Sequence, residues 1–93
     1  MGSLSISSAR AMRDGGIDAM AALNTALNLA LIGLSPGESV ELKTAFGKVM
    51  GEVVLELVNP AIKAFPELAV DDKAWRDIAA AQAGERFKQN EKS

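Results

Sequence analysis

The sequence predicts an all-α fold: a long antiparallel helical hairpin, then a shorter C-terminal helix, with hairpins pairing into a dimeric four-helix-like bundle. Three observations predict it. Ile17 to Leu34 is an almost unbroken apolar run whose sole charge is Asp18. Ser35-Pro36-Gly37-Glu38 follows at once, and this is a helix-start signal. The stretch after it, to Phe65, repeats apolar residues at helical steps of three and four.

Size and composition support the assembly. A chain of 93 residues has room for one core and one domain. Its apolar fraction is 48%, the upper end of the usual range even without counting glycine, so apolar side chain is left over for a partner. A net charge of −2 with scattered basic residues offers no footprint for nucleic acid or an anionic membrane. The chain has no cysteine, histidine or tyrosine. That removes disulfides, thiolate nucleophiles, the commonest general base and the commonest transition-metal ligand. No cofactor or metal is therefore expected, no enzymatic activity, and a cytoplasmic location.

Residues 1–8 are polar and Ser-rich and read as a frayed N-terminus. Ser7 or Ser8 would cap a short first turn through Met12, with Gly15-Gly16 breaking it or starting the main helix. Arg10 and Arg13 before an apolar run resemble the start of a signal peptide, but Asp14, Gly15, Gly16 and Asp18 interrupt it. Asp18, Asn24, Thr25 and Asn28 also lie within the run, which argues against a membrane span. Helix 1 is expected over 17–34. Ile17, Met20, Leu23, Leu27, Leu31 and Leu34 form one face, and Ala19, Ala22, Ala26, Leu29 and Ala30 make the other side apolar too. A helix apolar nearly all round is central. Asn24 reads either as a locally satisfied polar residue at a bundle edge or as the polar step of a packing seam that fixes register.

Ser35 and Glu38 form a capping box with Pro36 at the first helical position. The short connection makes helices 1 and 2 antiparallel neighbours. Helix 2 is expected over 36–65, kinked or restarted near Pro60, with Asn59 as the alternative cap. Glu38, Glu41, Lys48, Glu52 and Glu56 mark a narrow polar face; Leu42, Phe46, Val49, Met50 and Val53 lie on the broad apolar side. Leu55 stands apart and points to solvent or a partner. Gly47 and Gly51 each weaken a helix interior by about 1 kcal/mol against alanine. Close approach of another helix would offset this, either helix 1 of the same chain or a second copy. Glu52 and Glu56 sit one turn apart among other charges, without the histidine of a carboxylate metal motif, and read as solvated surface.

Pro66 ends helix 2, and Glu67 to Val70 reads as a linker. Asp71 caps helix 3, expected over 72–87, with Asp72 complementing the helix dipole. Trp75, Ile78, Ala79 and Ala83 give it a thin inner stripe anchored by Trp75. Residues 88–93 read as a flexible tail.

The functional expectation is a non-enzymatic interaction or regulatory/accessory subunit that self-associates, on the ground of missing catalytic side chains and excess apolar surface. Its candidate interface residues are Asn24, Leu27, Leu31, Gly47, Gly51, Leu55, Trp75 and Ile78. The alternative is a carrier of a lipid or other apolar small ligand, held between helices 1 and 2 near Met20, Phe46 and Met50.

Overall fold

Ser5 starts the first helix. Its hydroxyl accepts from the Ser8 backbone N–H at 3.1 Å, and α1 then runs without a break over Ile6–Ala30. The structure is a computed structural model and describes residues 4–91, with side chains described through residue 86. The expected frayed N-terminus is thus corrected over Ser5 to Ser8; residues 1–3 of that expectation lie outside the described residues. The expected bounds 17–34 for helix 1 are also corrected. Gly15-Gly16 neither breaks nor starts the helix, for the packing reason given below. At the other end Leu31 caps α1, and the chain turns through Gly33, whose φ of +80° is a left-handed conformation that favours glycine.

The second helix, α2, spans Pro36–Val53 and begins in the expected capping box. The Ser35 backbone N–H donates to Glu38 Oε1 at 3.1 Å, and the Glu38 N–H donates to Ser35 Oγ at 3.3 Å. Hydrogen bonding to the carboxylate, from the Ser35 backbone N–H first and from the Ser35 hydroxyl second, holds the Glu38 carboxyl below its ordinary value of 4.5. A depressed acid stabilises the fold in full above 4.5 and loses that contribution as pH falls through the folded value. Ser35→Ala is therefore expected to lower stability by about 1 kcal/mol in thermal denaturation at neutral pH. In Glu38→Gln the capping geometry is retained, and the acid-side loss of stability should flatten relative to the parent.

Helical backbone continues past Pro60. A π-helical turn, Val54–Val58, joins α2 to α3, Asn59–Ala64. Proline removes one hydrogen bond and its ring clashes with the carbonyl four residues back. A π turn inserts an extra residue at that point, and the Asn59 N–H accordingly reaches Val54 O. Asn59 itself is helical, at φ −63° and ψ −43°, so it is not a cap. Phe65 leaves the helix at φ −136° and ψ 87°, outside the α region that a residue before proline avoids.

The stretch read as a linker contains a 3₁₀ turn, Pro66–Leu68, and it carries part of the core. Leu68 is buried with Ala9 and Ala61, and Leu4, Met12, Ile62 and Phe65 pack around them. Ile17 and Val58 are also fully buried. Arg13 secures the turn from outside. Its guanidinium donates to the Leu68 carbonyl at 3.0 Å while pairing with Asp14 at 2.8 Å. Asp71 then caps α4, accepting from the Ala74 N–H at 2.8 Å. This last helix runs over Asp72–Glu91, so residues 88–91 of the expected tail are helical, and residues 92 and 93 lie outside the described residues.

The described residues form helices and turns with no strand. The buried core lies at one end of the hairpin, where the start of α1 meets residues 58–68. The other end, around the Gly33 turn, contains no buried residue.

Candidate functional site

Large apolar side chains are exposed at the end of the hairpin that lacks a core and along α2 as far as the π turn. Leu29 and Ile32 are 66% and 75% exposed at the end of α1, and Val40 and Val49 are 64% and 50% exposed on α2. Leu55, expected to face solvent or a partner, is 62% exposed. Val40, Thr44, Gly47 and Gly51 follow one another at steps of four, three and four along α2, all exposed. That spacing keeps them on one side of the helix. The Thr44 hydroxyl donates to the Val40 carbonyl at 2.8 Å, so this side holds no side-chain donor in need of water.

The glycines divide in a way that helical periodicity does not reveal. A Cβ built on Gly47 or Gly51 would meet nothing within 4 Å, so within the chain neither serves a close helix approach. Gly16 does. A Cβ there would stand 2.7 Å from Val58 Cγ2, with Leu57 and Val53 each 3.6 Å away. Gly16 is buried where α1 crosses the π turn, and this contact explains why the Gly15-Gly16 pair is helical. Burial against Val58 outweighs the local helix penalty of about 1 kcal/mol per glycine.

The remaining expected interface residues fall in three places. Leu27 and Leu31 are half-buried in the hairpin itself, and Trp75 and Ile78 are half-buried on α4. Asn24 is exposed, so within one chain it is not the buried polar step of a seam. It lines a groove of about 310 Å³ shared by Met20, Met50, Trp75 and Arg76. Phe46, expected beside the two methionines, instead lines a separate apolar hollow of about 170 Å³ with Leu23, Ala45 and Val49.

One long-range ion pair fastens α4 over α1. Arg86 Nη2 lies 2.9 Å from Asp18 Oδ1, whose side chain is 16% exposed. That oxygen has no aligned hydrogen bond, so the contact is charge attraction without hydrogen-bond geometry. Sequence reading took Asp18 as the sole charge of the apolar run and missed Arg86, Gly16, Arg13 and Leu68. Each acts through a residue far along the chain, and no local pattern marks it.

Among the described residues no group of three or more acidic, cysteine or histidine side chains stands ready for a metal ion, and no helix is long and apolar enough to cross a membrane. Comparisons with protein families, with curated proteins and with solved structures found no match.

Proposed function

We propose that this protein is a non-enzymatic interaction or accessory subunit that works as a homodimer, with the coreless end of the hairpin and the Gly47-Gly51 side of α2 at the seam. The observation that carries the reading is the exposure of Leu29, Ile32, Val40, Val49 and Leu55 in one chain. Surface area supports it. A compact monomer of 9.7 kDa exposes about 5,100 Å² by the usual size scaling, whereas this chain exposes 6365 Å². Its radius of gyration is 15.2 Å, against about 12 Å for a compact domain of this length. The surplus of roughly 1,200 Å² is more than the ~800 Å² that each partner contributes to an interface of standard size. Missing histidine, cysteine and tyrosine support the non-enzymatic part.

Sedimentation velocity at micromolar concentration tests the proposal, and a monomer there would overturn it. Leu55→Glu should raise the dimer Kd by at least ~100-fold, because about 1.5 kcal/mol or more of apolar burial is lost in each of two copies. The pair Gly47→Ala and Gly51→Ala separates seam from surface. Both substitutions remove a helix penalty and meet open space in one chain, so the folded chain should gain about 1–2 kcal/mol. If helices meet across the two glycines, dimerisation should weaken in the same variant. Stability and association rising together would exclude the glycines from the seam.

A further inference from the structure

The groove between α1, α2 and α4 combines an apolar floor with a single free cation. Met20, Met50 and Trp75 are half-buried and form the floor, while the exposed Asn24 and Arg76 stand at its rim. Its volume of about 310 Å³ falls at the small end of ligand pockets, which are mostly apolar with a few placed polar groups. Methionine adapts its shape to an apolar guest, and the indole supplies a large flat contact.

Arg76 is the one charged residue lining this groove, and no carboxylate lines it. Among the described residues Arg76 has no ion-pair partner. The nearest acid in sequence, Asp77, is taken by Lys73 at 2.9 Å. A guanidinium left unpaired at the mouth of an apolar groove is complementary to a carboxylate, which it can bind through two parallel N–H donors.

We infer that this groove binds a small organic monoanion with an apolar body, of the class of a medium-chain fatty carboxylate. The body lies on Met20, Met50 and Trp75. The carboxylate takes the Arg76 guanidinium, with the Asn24 carboxamide as a second donor. This inference is independent of self-association, since every residue of the groove belongs to one chain.

Trp75 is the sole tryptophan and the chain has no tyrosine, so intrinsic fluorescence reports from the groove itself. The experiment titrates the full chain with decanoate and with decanol, both below their aggregation limits. Decanoate is expected to shift Trp75 emission and to bind at least about tenfold more tightly than decanol, the value of one charge-assisted hydrogen bond. In Arg76→Gln, decanoate should fall to the affinity of decanol while decanol keeps its own. A variant that merely disturbed the fold would weaken both, and that result would overturn the assignment. So would equal binding of the two probes by the parent, no change in Trp75 emission, or a response to neutral phosphatidylcholine vesicles in place of monomeric decanoate. Leu55→Glu should bind decanoate as the parent does, whatever its oligomeric state. Loss of binding in that variant would place the site between chains and overturn a groove built within one.

Discussion

Ile17→Ala is expected to destabilise the protein by about 3 kcal/mol, within the 2–5 kcal/mol range for truncating a buried isoleucine. Ile17, like Val58, is fully buried, and few other side chains share that burial. A small domain holds about 5–15 kcal/mol in all, so this loss is a large share of the total. At 4–8 °C per kcal/mol for a domain of this size, the melting temperature should fall by roughly 12–24 °C. Leu31→Ala provides the contrast. Leu31 lies near the turn and is only half-buried, so its truncation should cost markedly less. Denaturant unfolding of both variants checks the comparison. Equal losses would mean that the core extends evenly along the hairpin.

Adjacent glycines are expected to respond with opposite sign. Gly15 faces open space within a helix, so Gly15→Ala should stabilise by about 0.5–1 kcal/mol. Gly16→Ala gains the same helix propensity but places its Cβ 2.7 Å from Val58 Cγ2. Val58 is buried and β-branched, so it cannot swing aside. Overpacking costs 1–3 kcal/mol, and the net change should be a loss of about 1–2 kcal/mol. Val58→Ala in the Gly16→Ala background removes the obstructing methyl. A double-mutant cycle should therefore show favourable coupling between the two substitutions. If Gly16→Ala stabilises as Gly15→Ala does, the crossing is looser than this contact requires.

Features set by neighbours in sequence were readable from sequence. The Ser35–Glu38 box, the Asp71 cap and the hairpin they imply depend on groups three or four residues apart. The outward position of Leu55 followed from helical phase alone. Features set by distant residues were not. Gly15-Gly16 looks like a breaker because the helix penalty of glycine is local, whereas the reason to keep Gly16 is Val58. Leu68 is a lone apolar residue after a proline and gives no period to detect. Ser5, Ser7 and Ser8 are chemically equal as caps; Leu4 and Ala9 packing near Ala61 and Leu68 favours a start at Ser5.

The candidate surfaces divide along the same line. Periodicity found Trp75 as the anchor of the last helix and brought Met20 and Met50 to the hairpin interior. It could not separate Phe46 from them, because two flanks of one helix pair share the same apolar pattern. Arg76 carries no local signal in the sequence. Its freedom emerges once Lys73 is seen to hold Asp77 instead.

The position of the core also sets an order of events during synthesis. Arg13 meets the Leu68 carbonyl across a separation of 55 residues, and Leu4 and Ala9 belong to the same cluster as Leu68. As the chain emerges from the ribosome at about 5–20 residues per second, α1, α2 and α3 are all made before Leu68, their principal anchor, exists. Closing so long a loop costs entropy before any burial repays it. For those seconds the apolar faces of the hairpin have no completed core to hold them. Until Leu68 has cleared the exit tunnel, those faces are exposed to non-native association.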